Sequence, residues 1–143
     1  MSEVASTGGA NAPFAIPVRV YIEDTDAGGI VYYVNYLKFM ERSRTEFLRQ
    51  YGYDKPAILD DGSLLVVHRA EVNYRRSARL DDLLSVTTEV DTLARTNVLF
   101  KQGIYRGNEL LCEGLIRIAC VNPDTMRPCA MPPGMREQLA TVA

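Results

Sequence analysis

The stretch Glu23-Asp24-Thr25-Asp26-Ala27-Gly28-Gly29-Ile30-Val31-Tyr32-Tyr33-Val34-Asn35-Tyr36 joins a strand to a helix through acids and glycines. Upstream, from Pro17, the residues Val18, Val20 and Ile22 alternate with Arg19, Tyr21 and Glu23, the period-two pattern of a half-buried strand. Downstream, Tyr33, Tyr36, Leu37, Met40, Phe47, Leu48 and Tyr51 fall on one side of a helical projection, opposite Asn35, Lys38, Arg42, Thr45, Glu46 and Arg49. The spacing predicts one amphipathic helix of about four to five turns. Asn35 is expected to cap its first turn and Gly52 to form its left-handed end. Arg44 lies inside the apolar stripe, where a guanidinium needs a carboxylate or a subunit interface. Phe39, on the polar side, is expected to mark a further contact.

Beyond the helix, Asp54 to Gly62 is punctuated by proline, acid pairs and glycine and reads as a connection. Four strand-like runs follow: Leu65–Tyr74, Leu83–Val90, Asn97–Tyr105 and Leu110–Val121. The last two are joined through Arg106-Gly107-Asn108-Glu109, which suits a tight hairpin turn. One strand, one long helix and four more strands exclude a doubly wound arrangement and predict an α+β fold, an antiparallel sheet wrapped around the helix. One helix does not cover such a sheet and its edges, so side-by-side dimerisation completes it naturally. Residues 1–15, rich in Ser, Thr, Gly and Ala, are expected to be a flexible leader, 16–134 the domain, and 135–143 a C-terminal tail.

The chain has 143 residues, 47% of them hydrophobic, which supports one domain with a real core. A net charge of -2 argues against a nucleic-acid surface. No run approaches the ~18 apolar residues of a membrane span, and the first residues do not form a secretory signal, so a cytoplasmic protein is expected. The three cysteines, Cys112, Cys120 and Cys129, match no metal or redox spacing and are expected to be buried free thiols.

The acid-glycine-helix stretch permits a particular chemistry. Exposed amides at a helix N-terminus polarise a carbonyl oxygen, and a nearby carboxylate attacks that carbonyl or activates water against it. Asp24 and Asp26 flank Thr25, so one can structure the turn while the other reacts. A calcium loop fails, because its spacing requires an oxygen-bearing side chain where Gly28 stands and a glutamate where Asn35 stands. The glycines match neither a nucleotide loop nor a dinucleotide fingerprint. His68 is the single histidine, which excludes a multi-histidine metal site, and no Gly-x-Ser-x-Gly elbow accompanies it. Its position inside a strand predicts a half-buried structural side chain. Arg69, Arg75, Arg76 and Arg79 form a basic cluster that reads either as phosphate donors or as a solvated strand end, and Arg95 has the same two readings.

The segment Val20 to Tyr32, followed by Asn35-Tyr36 and Phe39-Met40-Glu41-Arg42-x-Arg44-Thr45-Glu46, resembles the 4-hydroxybenzoyl-CoA thioesterase family, nearest to the bacterial acyl-CoA thioesterases associated with the Tol-Pal system. The similarity runs from about Pro17 to Pro132 and includes Tyr74, Ala78 to Asp82 and Asn122-Pro123. It implies a hotdog fold, a five-stranded antiparallel sheet wrapped around one long helix, with the active site at a dimer interface. It further implies Asp26 as the catalytic carboxylate and the backbone amide of Tyr33 as the group polarising a thioester carbonyl. Gly28, Gly29 and Arg95 are the implied substrate contacts. No metal is expected, nor any cofactor beyond the coenzyme A carried by the substrate. The implied partners are acyl-CoA, a homodimer or homotetramer, and an acyl carrier protein as a second thioester carrier. The chain departs from the Tol-Pal branch at Tyr33, where histidine is common, and from the hydroxybenzoyl enzymes at Arg95, where several basic residues stand. The expected activity is acyl-CoA hydrolysis, with Asp26 as nucleophile or general base. The alternatives are a hotdog hydratase or dehydratase, which would want a histidine beside the acid, and a non-catalytic acyl-thioester sensor or adaptor.

Overall fold

The period-two alternation stops at Arg19, short of the acidic motif. In the computed structural model, which describes residues 12–143, strand β1 spans Phe14–Arg19 and Ile22–Asp24 form a single 3₁₀ turn. Ile22, expected to face the core, is instead 76% exposed. Local hydrogen bonds explain this: the Tyr21 N–H donates to Asp24 Oδ2 at 2.9 Å, and the Thr25 hydroxyl donates to the Ile22 carbonyl at 2.8 Å. Short polar side chains that capture nearby backbone groups compete with the strand ladder, and here they win. At its other end β1 takes in Phe14 and Ala15, read as the end of a leader, and the Phe14 ring meets Phe47 edge-on at 5.7 Å. The rest of the expected leader, up to residue 11, lies outside the described residues.

The remaining elements are α1 (Val34–Arg49), β2 (Leu64–Tyr74), β3 (Leu83–Leu93), β4 (Asn97–Arg106), β5 (Glu109–Val121) and α2 (Pro133–Ala140). The strands form one antiparallel sheet in the order β1-β3-β4-β5-β2, with α1 packed across β1, β3 and β4. This is the five-stranded sheet and single long helix that the sequence predicts. The β4–β5 hairpin turns on Gly107, whose φ of 61° at the first central position matches a type II′ turn.

Helix α1 ends as expected, with Gly52 at φ 96°. The Gly52 and Tyr53 amides return to the Arg49 and Leu48 carbonyls at 3.0 and 3.3 Å, the Schellman pattern. Its start differs from expectation: Asn35 lies within the first turn, and Tyr33 takes the cap position with helical dihedrals. The buried face is Tyr36, Phe39, Met40, Ser43, Arg44, Phe47 and Leu48, an unbroken i, i+3, i+4, i+7 series. Phe39 is therefore a core residue at 0% exposure, not a marker of an outer contact. The polar Ser43 within the stripe had displaced the projection; its hydroxyl in fact bonds the Val86 carbonyl at 2.8 Å and Thr88 Oγ1 at 2.7 Å. Arg44 meets Gln102 on β4, and no carboxylate lies within ion-pair distance of it among the described residues.

The tail also belongs to the fold, because α2, which opens on Pro132 and Pro133, places Met135 and Leu139 in the core. Edge strand β2 is exposed from Val67 through Glu71 and carries a bulge between Val67 and Arg69. His68 sits at that bulge in solvent, so the half-buried structural role read for it is corrected: an edge strand has no neighbour to cover it.

Candidate active site

Residues 24–33 fold into a tight loop at the head of α1. The Asp26 N–H donates to the Ile30 carbonyl at 3.0 Å and the Gly29 N–H to the Asp26 carbonyl at 3.1 Å. Gly29 lies at φ 77°, a conformation that side chains other than glycine adopt only with strain. The Gly28 N–H donates to Asp26 Oδ1 at 2.9 Å, which orients the carboxylate. Asp26 is exposed, and its Oδ2 has no hydrogen-bond partner among the described residues.

Asp24 is used differently. Its carboxylate closes the 3₁₀ turn on Tyr21, while its carbonyl accepts the Tyr32 N–H at 3.0 Å and the Asn35 side-chain amide at 2.9 Å. One acid thus fastens the loop to the helix, and the other projects into solvent. At the helix head the N–H groups of Tyr33 and Val34 find no acceptor among the described residues. They are orphan donors at the positive end of α1, suited to bind an oxyanion.

The loop from Ser77 to Asp82 supports this turn from the other side. The Val31 N–H donates to the Ala78 carbonyl at 2.9 Å, and the Leu80 N–H to the Gly29 carbonyl at 3.1 Å. Asp82 Oδ2 holds that loop by accepting the Arg79 N–H at 2.8 Å and Arg106 Nη1 at 2.7 Å. Around it stands a tyrosine cluster in which Tyr74 lies 5.9 Å from Tyr33 and 5.7 Å from Tyr36, ring centre to ring centre. Burial raises the phenols of Tyr36 and Tyr74 above the usual tyrosine range, so both hold their protons at neutral pH.

Asp26, Gly28, Gly29 and Tyr33 share the one loop that ends at the head of α1. The structure does not bring Arg95 to them within one chain. Arg95 lies at the β3–β4 turn, whereas the 77–82 loop enters β3 at Leu83, so the eleven-residue strand β3 separates the two ends, roughly 35 Å at a strand's rise. The basic cluster is largely neutralised: Arg75 pairs with Glu113 at 2.7 Å, Arg76 with Glu109 at 3.1 Å and Arg69 with Glu71 at 3.8 Å. Sequence reasoning places Tyr36 in the apolar stripe and Ala78 in the segment that carries the resemblance, without a role for either. The available signal was a phenol on the buried face of α1, since a buried hydroxyl requires a partner.

A five-stranded antiparallel sheet crossed by one long helix, with an acid-glycine turn at the helix head, defines a hotdog-fold protein. The family model of the thioesterase-like superfamily matches residues 20–139, and the chain belongs to that superfamily. The acyl-CoA thioesterase YbgC of Haemophilus influenzae is 43% identical over 120 residues, 83% of this chain and 88% of that protein. The acyl-CoA thioester hydrolase YbgC of Escherichia coli O157:H7 has the same identity, over 83% of this chain and 90% of its own length. Among solved structures, a probable thioesterase from Bartonella henselae is 35% identical and superposes with a TM-score of 0.75, covering 85% of this chain and 100% of that one. The DHNA-CoA thioesterase of Staphylococcus aureus, 23% identical, shares the fold at a TM-score of 0.82 over 89% of this chain and 88% of its own. Among the described residues no helix is long and apolar enough to cross a membrane.

Proposed function

We propose that this protein hydrolyses an acyl-CoA thioester to a free acid and coenzyme A, with Asp26 as the reacting carboxylate and the Tyr33 amide as the oxyanion donor. The observation that carries the reading is the pairing of a half-satisfied carboxylate with unpartnered helix-head amides on one short loop. Gly28 holds Oδ1, which leaves Oδ2 to attack the thioester carbon or to take a proton from water that attacks it. Either route passes through a tetrahedral oxyanion, and losing one preorganised donor to such a centre typically costs about 3 kcal/mol of transition-state stabilisation. Collapse breaks the C–S bond, and coenzyme A leaves as a thiolate that water protonates. In the nucleophilic route a mixed anhydride forms and water cleaves it to restore Asp26.

Two further features fit this reading. The exposed edge of β2 offers backbone groups to a second copy, consistent with a homodimer. Arg95 would then contact coenzyme A phosphates only at a site in another protomer. A hydratase is less well served, since within one chain the single histidine stands on the β2 bulge, six residues along the strand from Tyr74 beside the turn. Tyr33 supplies its amide whatever its side chain, so its departure from the Tol-Pal branch bears on acyl preference and not on the oxyanion contact.

The test is Asp26→Asn assayed for thiol release across acyl-CoA substrates of varied length and aromaticity. The variant should fold and assemble as the wild type does while losing nearly all turnover. An Asn variant with wild-type rates would overturn the assignment.

A further inference from the structure

The acidic turn is tied to α1 twice, once on each side of Asp26. Ahead of Asp26, the Asn35 side chain holds the Asp24 carbonyl at 2.9 Å. Behind it runs a relay of backbone groups that begins at Tyr36, one residue further along the helix. The Tyr36 phenolic oxygen accepts the Ala78 N–H at 2.9 Å. The Ala78 carbonyl accepts the Val31 N–H at 2.9 Å, and the carbonyl of that same Ile30–Val31 peptide accepts the Asp26 N–H at 3.0 Å. We infer that Tyr36 is a positioning residue, whose hydroxyl acts through Ala78 and the Ile30–Val31 peptide to fix Asp26 against the helix head. The inference rests on the reading of Asp26 as the reacting acid.

The geometry favours this over a packing role. Ala78 is fully buried, and its N–H has Tyr36 as its only acceptor among the described residues. Packing alone would be met by phenylalanine, since the ring contacts with Phe39 and Tyr74 do not use the hydroxyl. Burying a hydroxyl is unfavourable unless it bonds, and this one bonds the loop that carries the acidic turn. The Tyr36 ring also leans on Tyr74, whose ring in turn meets that of Tyr33 edge-on. With the hydroxyl removed, the Ala78 N–H loses its acceptor, and the tie from α1 through Ala78 to the Ile30–Val31 peptide is cut at its first link. Displacing a reacting group by about 1 Å costs on the order of a hundredfold in rate.

The test is Tyr36→Phe, with Leu139→Ala on α2 as a destabilised control remote from the turn. Tyr36→Phe should lower kcat at least about tenfold with KM nearly unchanged, because misplacement of the acid acts on the chemical step. Hydrogen exchange at the Asp26 and Val31 amides should quicken in that variant, and Leu139→Ala should keep its kcat despite a lower Tm. Wild-type kcat in Tyr36→Phe, alongside an inactive Asp26→Asn, would overturn the positioning role and leave the thioesterase reading intact. An active Asp26→Asn would instead remove the reading on which this role depends. Should the Phe variant fail to fold, exchange in the wild-type protein decides: a common opening rate for the Ala78, Val31 and Asp26 amides supports the relay, and independent rates overturn it.

Discussion

Arg44 on α1 donates through Nη1 to Oε1 of Gln102 on β4, 2.9 Å away, in the interior of the protein. Gln102 in turn donates to the Met40 carbonyl at 2.8 Å and to Thr88 Oγ1 at 2.9 Å, so one amide joins the helix backbone, the guanidinium and β3. Burial pulls the Arg44 guanidinium down to about 10, with Glu41 opposing the shift.

Gln102→Ala should therefore destabilise strongly. It leaves a guanidinium at 9% exposure without its acceptor, and a lost hydrogen bond to a charged group costs about 2–3 kcal/mol. Urea unfolding should show that loss, and the double change Arg44→Met with Gln102→Leu should recover much of it by removing charge and acceptor together. An unchanged urea midpoint in Gln102→Ala would contradict the assigned role.

The two acids should separate cleanly on substitution. Asp24→Asn keeps an oxygen facing the Tyr21 N–H and should retain most thioesterase activity, unlike Asp26→Asn. Asp24→Ala removes the 2.9 Å bond and should lower stability by about 1 kcal/mol, the usual cost of a lost cap. Complete inactivation of Asp24→Asn with normal folding would mean that the wrong acid has been assigned.

Alkaline pH provides a test of burial. Burial, aided by Glu113, pushes the Cys112 thiol from 9.0 up to about 12. The folded chain then keeps a proton that the unfolded chain releases, so this stabilisation is complete below pH 9.0 and is lost as pH rises through about 12. Arg44 has the opposite sign, because burial pulls its folded-state value down to about 10, below that of the unfolded chain, so stability is gained as pH rises through and beyond about 10. Cys112→Ala removes only the first contribution. Its urea midpoint should fall less steeply than the wild type's above pH 9.0, and parallel curves would refute the assignment.

All three cysteines are free, as expected, with Cys112 and Cys120 buried and Cys129 half-buried. Cys120 and Cys129 place their sulfurs 3.6 Å apart, and the Cys129 N–H donates to the Cys120 carbonyl at 2.9 Å. Diamide, which accepts the two thiol hydrogens as the S–S bond forms, should join this pair. Under denaturing conditions the reactive thiol count should then fall from three to one, with Cys112 as the survivor. Retention of all three after treatment would show that the pair cannot close.

Much of this protein follows from local pattern. The helix at Val34–Arg49, its glycine end, the Gly107 hairpin and the strand order along the chain all express periodicities and turn preferences that neighbouring residues carry. The acid-glycine turn at a helix head was legible for the same reason, since every part of it lies within one short segment. Ile22 leaves the alternation because side chains at Asp24 and Thr25 capture the backbone, and Phe39 lies in an apolar arc that the polar Ser43 interrupts in sequence.

What the sequence alone determined is the order of elements, the one amphipathic helix and the acid-glycine turn at its head. Tertiary structure alone decided which partners those residues meet: Tyr36 with Ala78, 42 positions apart, and Arg44 with Gln102, 58 apart. It likewise separated the structural acid from the projecting one and set Arg95 away from both. The reason is physical. Periodicity specifies which face of an element is apolar, but a hydrogen bond between distant residues depends on strand register and on how the helix settles across the sheet.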